Sequence, residues 1–179
     1  LPYSAQVLRA GRVLALANKE SLVCAGALLA ELARVHAGTI VPVDSEHSAL
    51  HQCLEGRAAA DVRRVFLTAS GGALRDLPLG EMAQVTPEQA LAHPNWDMGP
   101  RITVDSATMM NKAFEVIEAV HLFGLAPEQV EVLLHRESVL HGMVEFADGS
   151  LLAQMGPPDM SSPIHRALHW PRCAPAPRQ

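Results

Sequence analysis

The chain has 179 residues, 49% of them apolar, with 14 Lys and Arg against 19 Asp and Glu and a formal charge of −5, which is material for one complete core, or for one with pieces of another. The basic residues are scattered rather than gathered into a stripe, which excludes the electrostatic footprint of nucleic-acid binding and points to a small-molecule partner. The longest apolar run, residues 22–30, is ended by Glu31 and is far too short to cross a bilayer, and no basic-then-apolar leader opens the chain, so no membrane partner is expected.

Residues 13–17 read as a short apolar strand, and 19–35 repeat apolar residues at helical spacing until Gly38 stops them. Residues 39–43 form a second, β-branched strand, followed by a short amphipathic helix through Ala49, Leu50, Cys53 and Leu54 that Gly56 closes. A third strand over 62–68 runs into Ser70-Gly71-Gly72, where glycines let the backbone approach a ligand. Thr86-Pro87-Glu88 signals a short helix. "HPNWDMGP", 93–100, is too polar and proline-broken for regular structure and reads as a functional loop or lid. Asp105 or Ser106 caps a longer helix that runs to Gly124, and 130–134 is a strand. Residues 144–146 and 151–154 flank Asp148-Gly149 as a hairpin. From Pro157 onward the chain is Pro-rich and irregular. The fold class is therefore α/β then α+β, with a mixed sheet. Cys24, Cys53 and Cys173 form no CxxC pair and cannot all pair within the chain, which suggests reduced thiols in a cytosolic setting.

The chemistry concentrates where strands end. In an extended backbone Asp44 and Glu46 project to the same side, and two such carboxylates repel unless a cation lies between them. Oxygen-only ligands favour Mg²⁺ or Mn²⁺ over zinc. The alternative for this stretch is an ordinary N-cap with acidic first-turn residues. His47 and His51, four apart, invite a zinc reading, but no HExxH pattern supports it over a helix with two surface histidines. Asn111, Lys112 and Glu115 fall on one helix face, with Ser106 upstream. A hydroxyl, an amide and a lysine near a helix start suit a phosphate, and Glu115 completes a three-carboxylate shell; a solvated polar face is the alternative. Lys19 follows a strand at the carboxyl end where open αβ sheets bind ligands, and reads equally as a surface lysine. Trp96 and Met98 close over a ligand or anchor their loop to the core.

Taken together, "LALANKESLV", "VPVDSEHSA", "LTASGG", "HPNWDMG", "VDSATMMNKAFEVIEA" and "LLAQMGPPDM" resemble the 1-deoxy-D-xylulose 5-phosphate reductoisomerase family, in its order and approximate spacing, over about 150 residues. The resemblance implies NADPH- and divalent-metal-dependent conversion of 1-deoxy-D-xylulose 5-phosphate to 2-C-methyl-D-erythritol 4-phosphate in isoprenoid precursor synthesis. It implies a homodimer in a bacterial cytoplasm. Asp44, Glu46 and Glu115 match the family's ligands for Mg²⁺, Mn²⁺ or Co²⁺. Lys19, Ser45, Glu46, Ser70, His93, Ser106, Asn111, Lys112 and Glu115 match its contacts to the phosphorylated ketose. Of these, Lys19, Glu115 and His93 are the catalytic candidates. Asn18, Glu20 and Gly99 match positions touching NADPH. A metal chelating the substrate's neighbouring oxygens polarises its carbonyl, rearrangement gives an aldehyde, and NADPH reduces it.

The family's Gly-rich turn of the GxTGSIG kind has no counterpart in residues 1–17, and the last ten residues do not look like the family's continuation. The expectation is a piece lacking the start of the NADPH domain and the C-terminal helical domain, inactive alone: 1–42 a remnant of the NADPH-binding domain, 43–160 the metal- and substrate-binding catalytic domain, 161–179 a linker or irregular tail. Ala69, Asp97 and Ala113-Phe114 depart from the common Gly, Ser and Gly-Leu, and Asp97 adds negative charge close to where anionic groups bind. Two other classes stay open. One is a non-catalytic fragment that keeps metal and phosphate binding or dimerisation only. The other is a metal-dependent phosphohydrolase, against which the "ANKE" and "HPNWDMG" stretches argue.

Overall fold

The computed structural model describes residues 1–175. Helix α1 (Pro2–Arg9) leads to β1 (Val13–Leu16), helix α2 (Lys19–His36) and β2 (Thr39–Pro42), with β2 parallel to β1 in a two-stranded sheet. Parallel strands need a crossover, and α2 supplies it. Asn18 caps α2, its side chain accepting from the Ser21 amide, and Ala37 in the left-handed region before Gly38 ends it. Leu8, Leu16, Leu22, Leu29 and Leu32 fill the core of this part. The sequence reading missed α1, whose buried face is only Ser4, Ala5 and Leu8, too short a repeat to stand out.

The second part opens with α3 (Ser45–Leu54) and β3 (Val62–Ala69), followed by α4 (Pro87–Leu91), α5 (Pro100–Ala107) and α6 (Met110–Phe123). Then come β4 (Val130–Leu134), β5 (Leu140–Phe146), β6 (Leu151–Met155) and α7 (Ser161–His169). The four-stranded sheet has the order β4-β3-β5-β6, parallel only between β3 and β4. The fold class is thus α/β followed by α+β, with a mixed sheet. Leu50, Val65, Leu67, Ala119, Leu125, Val144 and Phe146 form its core, where α3 and α6 meet the sheet. No helix among the described residues is long and apolar enough to cross a membrane.

Two expectations give way. The helix expected to start at Asp105 or Ser106 is two helices: Pro100 begins α5 behind Gly99, and Met109, at φ 61, breaks the chain before α6. Proline at a first helical position is preorganised there, so Pro100 outcompetes the later polar caps. Ser106 therefore lies in the last turn of α5, facing the start of α6. Irregular structure was expected from Pro157 onward, yet 161–169 are helical. Pro163 falls in the first turn, where its missing N–H costs nothing, and Ala167 packs with Val41 and Val43. Residues 176–179 of the expected tail lie outside the described residues.

Gly71 makes room for the Arg75 side chain, and Gly72 lets a backbone approach that is the protein's own. At Gly72, φ is +71, and a Cβ would lie 2.4 Å from the Ser106 carbonyl oxygen. The end of β3 is thereby pressed against the end of α5, which brings Ser70 and Ser106 to one place. Gly72→Ala should lower the urea-unfolding free energy by about 2–4 kcal/mol, combining a strained backbone with an overpacked contact. Gly80→Ala, where a Cβ meets nothing within 4 Å, should stay within about 0.5 kcal/mol of the parent.

Candidate active site

Asp44 answers the question of cap or ligand by being placed for both. Its Oδ1 accepts from the backbone N–H of Glu46 at 3.2 Å and of His47 at 3.4 Å, capping α3. Its Oδ2 is left to accept from Lys19 Nζ at 3.0 Å. Lys19 also donates to Asn111 Oδ1 at 2.7 Å and Glu115 Oε1 at 3.4 Å. Lys112 donates to Glu46 Oε1 at 3.1 Å, to the Thr68 carbonyl at 2.5 Å and to Glu115 Oε2. Neither lysine is a surface residue; their side chains are 12% and 7% exposed. Glu46 reaches Asp44 because both sit at the start of α3, rather than through the strand alternation expected from the sequence.

Oxygens of Asp44, Glu46 and Glu115 lie within 4.8 Å of one another. Burial pushes the Glu115 carboxyl up to about 7, and Glu46 and Asp44 add to the shift against the opposing pull of Lys112 and Lys19. Burial alone would lower both ammonium groups, but Asp44, Glu115 and Glu118 hold Lys19 above its ordinary value, and Glu115 and Glu46 do so for Lys112. Asp44 is buried too, yet Lys19 and His47 keep it well below the usual carboxylate range. More negative oxygen converges here than two ammonium groups balance. An all-oxygen set of this kind fits a hard divalent cation.

Behind these groups stand two residues that the sequence reading left without a role. His47 is fully buried, not a surface histidine: its Nε2 is 2.9 Å from the Glu115 carbonyl, and its Nδ1 faces Asp44 Oδ1 at 3.1 Å. Glu118 Oε2 lies 3.8 Å from the same Nδ1 and 4.0 Å from Lys19 Nζ. Burial would lower the His47 ring, but Asp44 and Glu118 push it up to about 9. Glu118 is pushed up to about 7 by burial, His47 opposing. The available signal was an acid at 118 inside the apolar run Val116 to Val120, one turn beyond Glu115.

A cavity of about 210 Å³ joins this cluster to Ser45, Ser70, His93 and Ser106, with Trp96, Asp97 and Met98 along its wall. Ser45 Oγ donates to Glu46 Oε2 at 2.6 Å. Lys112, with its three donors spent on the acids and Thr68, is bound into the carboxylate cluster, not into the serine group. Trp96 packs near His141, ring centroids 6.3 Å apart, as the 93–99 loop passes over the cavity. Asp97 is exposed on that loop. A neighbouring cleft is lined by Glu20 and Gly99, two of the expected cofactor contacts, and shares Lys19 with the first cavity. Glu20 is paired there with Arg101 at 2.5 Å. Asn18 does not line that cleft; it caps α2 and donates to Glu20.

A sequence model described as the 1-deoxy-D-xylulose 5-phosphate reductoisomerase C-terminal domain matches residues 40–123. A 1-deoxy-D-xylulose 5-phosphate reductoisomerase of Ectopseudomonas mendocina is 55% identical over 170 residues, 92% of this chain and 43% of the relative. That of Moorella thermoacetica is 58% identical over 164 residues, 92% of this chain and 42% of the relative. Among solved structures, a DOX-P reductoisomerase in complex with NADPH, fosmidomycin and magnesium superposes with a TM-score of 0.91 at 44% identity, over 97% of this chain and 45% of that one. The Zymomonas mobilis enzyme in complex with NADPH gives 0.90 at 50% identity, over 98% and 45%. The chain spans less than half the length of these relatives.

The shifted groups fix how metal-free stability depends on pH. Glu115 and Glu118 bind their protons more tightly folded than unfolded, so their contribution is whole below the ordinary 4.5 and is lost as pH rises through about 7. That of His47 is whole below 6.5 and lost as pH rises through about 9. In EDTA, the melting temperature should therefore fall from pH 5 to pH 9, and Glu118→Gln should flatten the part below neutrality. A melting temperature that rises over this interval in calorimetry contradicts the assignment.

Proposed function

Because the chain belongs to the 1-deoxy-D-xylulose 5-phosphate reductoisomerase family, we propose that its cavity carries out the metal-dependent rearrangement of 1-deoxy-D-xylulose 5-phosphate, which NADPH-linked reduction completes as 2-C-methyl-D-erythritol 4-phosphate. The observation that carries this reading is the meeting of Asp44, Glu46 and Glu115 oxygens within 4.8 Å in a cavity that Ser70 and Ser106 also line. A divalent cation held by those three carboxylates would polarise the substrate carbonyl and stabilise the negative charge that retro-aldol cleavage and re-addition create. NADPH would supply the hydride that reduces the resulting aldehyde. Ser70 and Ser106 would hold the phosphate away from the reacting carbons, with Asn111 and Lys112 turning from Glu115 to join them.

Lys19 remains charged beside Asp44 and Glu115, so its role is to donate hydrogen bonds to substrate oxygens and not to abstract protons. Trp96 and Met98 exclude water from the reactive intermediate. Glu20 and Gly99, with Asn18 beside Glu20, mark the cofactor side. In this reading residues 1–42 belong with an NADPH-binding domain and 43–160 are the catalytic domain, while α7, packed on Val41 and Val43, is part of the fold and not a linker. Homodimer formation belongs to the same proposal, supported by open edges at β4 and β6 with Leu134, Leu151 and Met155 exposed.

A second reading, a binding module without turnover, draws on the chain's spanning less than half of its relatives' length. Calorimetry and NADPH absorbance separate the two. Mn²⁺ should bind the 179-residue chain with measurable heat, and Glu115→Gln should weaken it by roughly 10²-fold or more. Substrate-dependent NADPH loss that survives EDTA and Glu115→Gln removes the metal from the proposal. Metal-dependent heat without NADPH loss, even when the chain is joined to the NADPH-binding part of a relative, selects the binding module.

A further inference from the structure

In the same cavity, the hydrogen bonds of one histidine leave it a single tautomer. His93 Nδ1 lies 3.1 Å from the backbone N of Asn95 and 3.0 Å from that of Trp96. A backbone N–H only donates, so Nδ1 is the bare, accepting nitrogen and the ring proton is on Nε2. Nε2 is 3.0 Å from Ser70 Oγ and therefore donates to it. The Gly72 N–H donates to the same oxygen at 3.3 Å. A hydroxyl has two accepting lone pairs and one proton. With both lone pairs taken, the Ser70 proton is left to point away from His93 and Gly72, into the cavity that Ser70 lines.

The surroundings oppose a second proton on the ring. Burial and the Arg75 guanidinium hold His93 below its ordinary value. Arg75 also ties the same two segments together, donating to the Ser70 carbonyl at 2.9 Å and to Asn95 Oδ1 at 3.2 Å. The turn at 95–96 and the end of β3 thus share two fasteners, one neutral and one charged.

We propose that His93 is a positioning residue, not a proton carrier: the amides of its own loop fix it as the neutral Nε2–H tautomer, and through that N–H it makes the Ser70 hydroxyl a donor to an anionic ligand group. Order in the 95–96 turn and anion affinity at Ser70 then depend on opposite nitrogens of one ring, Nδ1 for the turn and Nε2 for the serine. This inference rests on the reading that the cavity beside Ser70 takes the phosphate. The resemblance places His93 among the substrate contacts and catalytic candidates; here it acts through Ser70.

Nitrogen-15 NMR of the chain reads the tautomer directly, and two substitutions divide the role. His93→Asn keeps an oxygen near the Nδ1 position to accept from the loop amides but has no donor that reaches Ser70. His93→Gln keeps an N–H near the Nε2 position but no acceptor for the loop. In the parent at neutral pH, Nδ1 should be unprotonated and Nε2 protonated, and inorganic phosphate with Mg²⁺ should shift the Ser70 and Gly72 amides. His93→Asn should weaken phosphate about tenfold while the Asn95 and Trp96 amides stay protected from exchange, and His93→Gln should keep phosphate within about threefold while those amides lose protection. A protonated Nδ1, parent-like phosphate affinity in His93→Asn, or equal losses in both variants overturns the proposal. The expected tautomer with no phosphate shift in the parent instead overturns the anion reading beneath it, so the two failures are distinguishable.

Discussion

The structure depends on one interaction above the rest: the ammonium groups of Lys19 and Lys112 lying among the carboxylates of Asp44, Glu46 and Glu115. These five residues come from the starts of α2, α3 and α6, so the charge cluster joins the first part of the chain to the second. Taking so many charges out of water costs several kcal/mol for each ion before pairing offsets it, and apolar residues of similar size would often serve stability as well. A chain that keeps such a cluster at the mouth of a cavity keeps it for what the charges do there.

The cluster can be held because its backbone frame is fixed without it. Asp44 is placed by the end of β2 and by the two amides it caps, which leaves one oxygen for the cavity. Glu115 is placed by α6, whose partner α2 comes close enough that a Cβ at Gly26 would lie 2.2 Å from the His121 ring. His47 then ties α3 to the Glu115 carbonyl from behind. Asp44 and the Glu115 backbone are therefore held by contacts other than salt bridges, as a preorganised electrostatic site requires.

Much of this was legible in the sequence, for identifiable reasons. Strands such as 39–42 and 130–134 and the Asp148-Gly149 hairpin announce themselves through β-branched residues and turn chemistry that act locally. Asp44 and Glu46 were legible as candidates through their spacing at a strand end, and Glu115 through the helix face it shares with Asn111 and Lys112. What was not legible arises between elements. Whether Asp44 caps or binds cannot be asked of a segment alone, since its two oxygens take different partners. His47 reads as a surface histidine until α6 covers it, and Glu118 acquires its setting only when α3 and α6 pack. The break at Met109 depends on α5 having started at Pro100, a competition between two possible helix starts that a pattern of apolar residues does not rank.

That break is also what gives the cavity its serine group. A continuous helix from 100 to 123 would carry Ser106 away along its axis, about 1.5 Å per residue, from Asn111 and Lys112. The turn at Met109 instead lets the last turn of α5 meet the first turn of α6, and Gly72 lets β3 press against that junction. The two groups lining the cavity are therefore built differently. The acidic group rests on regular elements fixed by two cores, while the serine group rests on glycines, a helix break and a loop whose amides are satisfied through a histidine ring. Regular elements hold close-packed charges at fixed separations. A junction of loops and helix ends can adjust as close-packed helices cannot, so the difference between the two groups follows from where the chain spends its regular structure.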